Sequence, residues 1–316
     1  MDNKKLQAEI LKIYKEIKRV CEKNNIKFFA VGGTALGAVR HHGFIPWDDD
    51  IDLGVPIDDF EKFKKACKKD LAPPYKFKDL LWIGGKIHNP NTTFLETTCL
   101  MNEKSCYGIF VDIFPIIGTP NNTELRWEFQ QDMFRYHFKS MIFDRYQKTS
   151  EFSEKDIKKW RNSILYGYPL KESEKAVEFA SGSWFSKSVD GMLNPIEIPF
   201  EDTTIPIPSS YNEDLTAQYG DYLTLPPKNQ RVSHNEYAII DFNKPYTYYL
   251  QKLSKVDPDL LSFLKKKHEL EGKFFDNSTN YAYSTHQLEH QLQAIQNSRI
   301  YNLSKKASSL IAKIRQ

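Results

Sequence analysis

The chain has 316 residues, 40% hydrophobic and 27% charged, with a formal net charge of +3. That is ample material for a globular core, and too small a basic excess for the dense patch that nucleic-acid binding requires. The cysteines at 21, 67, 99 and 106 form no Cys-x-x-Cys pair, which speaks against a zinc knuckle and for free thiols in a cytosolic chain.

In chain order, Leu6, Ile10, Tyr14, Ile17 and Cys21 recur at helical spacing, which predicts an amphipathic helix over 5–22 with no signal-peptide character. A strand over 26–31 follows, broken by Gly32-Gly33, then a short helix over 34–41 and a loop over 42–47. Residues 50–55 alternate as a strand, with Ile51, Leu53 and Val55 on one face. Asp58 and Glu61 resemble a capping box that opens the next helix. Strands are expected over 81–87, 93–99 and 107–114, then an aromatic-rich helical stretch over 123–187. Short strands over 196–208, a helix over 211–219 and a proline-stiffened loop at 225–228 come next. The chain turns helical again from 250. Nowhere does an apolar run approach the roughly 20 residues needed to span a bilayer. The sum is a mixed α/β (α+β) fold.

The densest chemistry lies in Trp47-Asp48-Asp49-Asp50-Ile51-Asp52. Carboxylates this close repel one another unless a positive charge sits among them. On a strand, Asp50 and Asp52 share a face, where two carboxylates can hold a hard cation such as Mg2+ (or Mn2+) against substrate phosphates. Asp112 sits in the otherwise apolar run Tyr107–Phe114 and needs a partner, which a shared metal would supply. Gly32-Gly33-Thr34 stands at a strand-to-helix turn, where a phosphate can approach free N–H groups. Arg40 is available to pair with a phosphate or with one of the acids. These residues point to metal, phosphate and group transfer; an exposed acidic turn is the bland alternative.

Gly32-Gly33-Thr34-Ala35-Leu36-Gly37, Arg40 to Gly43, and Pro46 through Asp52 together resemble the LicD family of phosphocholine transferases, within the nucleotidyltransferase-fold superfamily that includes the fukutin-related proteins. Gly108 to Pro115 and Tyr219 to His234 continue the resemblance, which covers residues 5–242. It implies a nucleotidyltransferase-like mixed sheet flanked by helices over 1–245, with a helical insertion near 120–190; the helical extension 246–316 matches no motif. It further implies Asp50, Asp52 and Asp112 as metal-binding and catalytic acids, CDP-choline as donor, and a sugar hydroxyl of a lipid-linked bacterial surface glycan, of teichoic acid or lipopolysaccharide type, as acceptor. Asp112 would be a metal ligand or a general base. Lys228, Arg231 and His234, within one short loop, suit a phosphate clamp beside Gly32, Gly33, Thr34 and Arg40; Lys86 and His88 are weaker candidates. A quaternary ammonium is held by aromatic faces, for which Trp47, Tyr107 and Tyr219 are the candidates. Residues 300–316 form a basic amphipathic stretch that could lie on an anionic membrane from the cytoplasmic side. The rival readings are transfer of another CDP-linked phospho-alcohol, such as ribitol or glycerol phosphate, or of a nucleotidyl group, and a non-catalytic scaffold in glycan assembly.

Overall fold

A computed structural model describes residues 3–96, 106–146, 152–179, 186–233, 237–249, 251 and 270. Helix α1 (Asn3–Lys23) buries Leu6, Ile10, Ile13, Tyr14, Ile17, Val20 and Cys21, a stripe with helical repeat. This stripe lies against β4 (Gly85–Asn89) and β6 (Ile109–Gly118). Strand β6 is the spine of the sheet. Its apolar run is buried on both faces, which is why only Asp112 interrupts it.

The main sheet runs in the order β1 (Phe29–Ala30), β2 (Asp52–Pro56), β6, β4, β3 (Lys76–Asp79). Strands β2 and β6 are parallel; the other pairs are antiparallel. A second piece, β7 (Lys175–Glu178), takes over from β4 alongside β6 and pairs with β8 (Lys187–Ser188). Pro115 falls between those two ladders, after β4 has ended and before β7 begins, so its missing N–H breaks no pairing. Helix α2 (Gly32–His41) joins β1 to the loop before β2, and α3 (Ile57–Asp70) follows β2 directly. The pair α4 (Thr123–Tyr146) and α5 (Glu154–Tyr166) pack together. A short helix α6 (Val189–Leu193), the hairpin β9 (Ile196–Phe200) and β10 (Thr203–Ile207), and α7 (Tyr211–Tyr219) come next. Strand β11 (Tyr237–Asp241) returns to pair with β5 (Thr93–Glu96).

The mixed α/β class holds, with differences in detail. The strand expected over 26–31 is two residues long, because Val31, whose N–H still reaches the Asp52 carbonyl, is already the N-cap of the next helix. Asp50 precedes β2 instead of lying in it. No capping box opens α3: Pro56 is its N-cap, and the Asp59 carboxylate accepts from the Lys27 N–H. Residues 81–84 bend, and the strand starts at Gly85. The stretch expected to be helical to 187 stops at Tyr166, and β7 and β8 join the main sheet. Of the extension 246–316, only 246–249, 251 and 270 are described. Cys21, Cys67 and Cys106 are buried and free; Cys99 lies outside the described residues.

Candidate active site

One cavity of about 1050 Å3 opens over the β2–β6 pair and the start of α2. Asp52 and Asp112 are direct Cα partners across these parallel strands, and both line it. Their backbones are pinned by a short network. The Asp112 N–H donates to the Ile51 carbonyl at 2.9 Å, and the Asp52 N–H donates to Thr34 Oγ1 at 2.8 Å. Asp48 and Asp50 line the same cavity from the loop before β2. Gln7 on α1 steadies that loop by donating to the Asp48 carbonyl at 2.8 Å and the Ile45 carbonyl at 3.1 Å.

The glycine pair does what a side chain would prevent. Gly32 sits at φ +53, in the left-handed region that favours glycine. A Cβ on Gly33 would stand 3.3 Å from Asp48 Oδ2. Both glycines line the cavity, and Val31, the N-cap of α2, makes no side-chain cap, so the first-turn N–H groups offer an anion site next to the acids.

The electrostatics follow from this crowding. Burial, then the neighbouring Asp49 charge, raises the Asp48 carboxyl to about 6. Asp52 is raised well above the usual range by burial and by the charges of Asp50, Asp112 and Asp48, against which Lys86 acts. Lys86 stands 3.4 Å from Asp112, its ammonium 3.3 Å from the centre of the Phe110 ring. Acids raised in this way carry the negative potential that a divalent cation relieves, and their oxygens are the hard donors that Mg2+ prefers. The donor atoms of Asp48, Asp49 and Asp50 all lie within 4.8 Å of one another. Asp49 is turned toward Ser233, whose hydroxyl it accepts, and does not line the cavity.

The other sequence candidates divide. Arg40, Trp47 and Tyr219 line the cavity. Arg40 donates to the Tyr222 carbonyl at 2.8 Å, and burial lowers its guanidinium. Tyr219 is 39% exposed, but its hydroxyl end is the inner one: it stands 3.9 Å from where a Gly32 Cβ would be. Burial of that end and the nearby Asp52 charge push its phenol upward. Thr34 is spent on the Asp52 backbone and is absent from the cavity wall. Tyr107 packs edge-on against Tyr246 in a separate small apolar cluster, ahead of the start of β6. Lys228 is exposed and does not line the cavity. Arg231 donates to the Pro226 carbonyl and lies 5.5 Å over Trp47, so it backs two residues of the cavity wall without lining it itself. His234 lies outside the described residues. Of the weaker pair, Lys86 faces Asp112, whereas His88 is buried, with burial lowering its imidazole to about 4.

Sequence reasoning missed Trp82, Phe114, His137, Glu178, Gln218 and Asp221, all of which line the cavity. Phe114 was recoverable: two residues past Asp112 on a strand means the same face. Glu178 arrives on the short strand β7 and the others from loops and helices, whose local patterns carry no such sign.

The site is thus a mixed sheet bearing acids on adjoining strands, next to a glycine-opened helix. Residues 25–171 match the LicD/FKTN/FKRP nucleotidyltransferase domain. The chain is 28% identical over 254 residues to the lipopolysaccharide cholinephosphotransferase LicD of Haemophilus influenzae, covering 72% of this chain and 94% of that protein. An uncharacterized protein of Rickettsia prowazekii is 44% identical over 133 residues, covering 35% of this chain and 46% of the relative. The human ribitol 5-phosphate transferase FKRP is 45% identical over 40 residues, covering 13% of this chain and 8% of that protein.

Proposed function

We propose that this phosphotransferase moves phosphocholine from CDP-choline to a sugar hydroxyl of a bacterial surface glycan precursor. The observation that carries the reading is the placement of Asp48, Asp50, Asp52 and Asp112 on the wall of one cavity beside the uncapped start of α2. Phosphoryl-type transfer asks chiefly for positioning and charge neutralisation. Asp50, Asp52 and Asp112 would hold Mg2+ or Mn2+, which when bound neutralises the diphosphate and the charge that develops on it. The N–H groups of Gly32 and Gly33 and the Arg40 guanidinium orient the phosphates. The acids and the buried Lys86 fix the geometry in which the hydroxyl oxygen meets phosphorus while the bond to CMP breaks. Asp112 serves as ligand or as acceptor of the hydroxyl proton.

The overall similarity to a lipopolysaccharide cholinephosphotransferase supports choline as the alcohol and a glycan as the acceptor. The short similarity to a ribitol 5-phosphate transferase favours, as the second reading, another CDP-linked phospho-alcohol. No helix among the described residues is long and apolar enough to cross a membrane. We place the protein in the cytoplasm, with residues 300–316 reaching the anionic inner membrane where a lipid-linked acceptor would lie; unchanged liposome binding after deleting 299–316 would remove that placement.

Incubation with Mg2+ and a panel of CDP-choline, CDP-ribitol and CDP-glycerol tests the reaction. CMP release from CDP-choline alone, lost in Asp52→Asn, is the expected result; release from another donor instead would move the assignment to the second reading.

A further inference from the structure

The cavity has two sides. On the side of α2 and α7, Arg40, Gln218, Asp221 and Gln230 offer hydrogen-bond donors and acceptors next to the Trp47 and Tyr219 rings. Past Asp112 on β6, it is lined by Phe114, Trp82 and His137. The Trp82 and His137 rings meet edge-on, with centroids 5.6 Å apart. Lys86, the cross-strand partner of Asp112, lies 5.8 Å from the Trp82 ring, which puts that indole on the same sheet face as the acids. Glu178 also lines the cavity and is the partner of Ile116, two residues beyond Phe114 on the same face. One Glu178 oxygen accepts from Lys187; the other is buried without a hydrogen-bond partner among the described residues.

Resting on the transfer reaction above, we propose that Trp82, Phe114 and His137 form the subsite for a quaternary ammonium carried on the transferred phosphorus, and that the α2 and α7 side, with its hydrogen-bonding groups, takes the nucleoside. A trimethylammonium group neither donates nor accepts a hydrogen bond. It gains from aromatic faces and from negative potential such as that of the unpartnered Glu178 oxygen, which it does not need to touch through a proton. A nucleobase stacks on aromatic rings too, but its polar edges need partners, which the α2 and α7 side supplies; a polyol such as ribitol needs still more of them. The spacing agrees. Two residues along a strand span roughly 6.6 Å, comparable with the reach of a two-carbon linker from phosphorus to nitrogen. The group bonded to phosphorus therefore meets Phe114 when the phosphate lies at Asp112.

Binding in the presence of Mg2+ tests this with three ligands: CDP-choline, CDP, and the CDP ester of 3,3-dimethylbutanol, an uncharged isostere of choline. The wild-type protein is expected to hold CDP-choline roughly fivefold or more tightly than the isostere. Trp82→Leu is expected to bring that ratio toward one while leaving CDP affinity within about twofold. Phe114→Leu repeats the test from the strand side should Trp82→Leu fail to fold. Equal binding of the charged and uncharged esters by wild type would overturn the proposal. So would an equal loss for CDP and CDP-choline in the variants, which would put the nucleoside on the aromatic wall. If wild type turns over CDP-ribitol and ignores CDP-choline, the choline reading falls and takes the subsite with it. If wild type consumes CDP-choline but the variants keep the ratio, the subsite alone falls.

Discussion

Asp52 shows most plainly how one residue serves function against stability. Its carboxyl is raised by burial and by three neighbouring acids, so ionising it without a counter-ion strains the fold. Asp52→Asn removes that repulsion and keeps the shape. In EDTA the variant is expected to melt a few degrees above wild type, while transfer falls by about 100-fold or more; a variant that melts lower would mean that Asp52 is held by favourable contacts in the metal-free protein. Gly33 marks the opposite limit, where an added methyl would crowd an acid. Its Cβ would press on Asp48 Oδ2 from 3.3 Å. Gly33→Ala is expected to weaken CDP binding roughly tenfold with little change in melting temperature, read by titration calorimetry. The acids and glycines were legible because each breaks a local rule: like charges in succession, a carboxylate in an apolar strand, paired glycines at a turn. Thr34 shows where that legibility ends, since only the tertiary structure reveals that its hydroxyl is spent on the Asp52 N–H.

At the scale of elements, the β2–β6 pairing turns two distant acids into neighbours, and β4 adds Lys86 beside them. Side chains of Lys86 and Asp112 are only 7% and 12% exposed. A buried pair of this kind adds little net stability, yet breaking it leaves an unpaired charge. Lys86→Met is therefore expected to cost about 3–5 kcal/mol in urea denaturation, and Lys86→Met with Asp112→Asn to regain most of that loss. A double variant no more stable than the single one would show that the lysine acts through packing on Phe110. The apolar run and its single acid made β6 visible in the sequence, and the 3.6-residue stripe made α1 visible. Strands β7 and β8, of four and two residues, carry no alternation long enough to read. The side chains they and α4 bring to the cavity, Glu178 and His137, were hidden for the same reason: their meaning lies in what they pack against.

Over the whole molecule, the acid cluster couples stability to pH and to metal. Asp48 ionises at about 6 in the folded protein, against an ordinary 3.8. Between those values the folded state holds more protons than the unfolded chain, so stability falls as pH rises through this window. Above about 6 the penalty is complete, roughly 3 kcal/mol for this group alone. Asp144 behaves alike: burial raises it to about 6 despite the Leu81 and Trp82 N–H groups it accepts. It lies outside the acid cluster, so metal should leave its share untouched. The melting temperature in EDTA is thus expected to drop between pH 5 and pH 7.5, less steeply than the acids alone would give, because His88, lowered to about 4 by burial, acts in the opposite sense. Millimolar Mg2+ should restore most of the loss at pH 7.5 and little at pH 5, where protons occupy the oxygens a cation needs. Calorimetry at both pH values, with and without Mg2+, reads this directly. A metal effect of equal size at pH 5 and pH 7.5 would mean that the cation binds away from the raised carboxyls, and that the cavity's negative wall is not what draws it in.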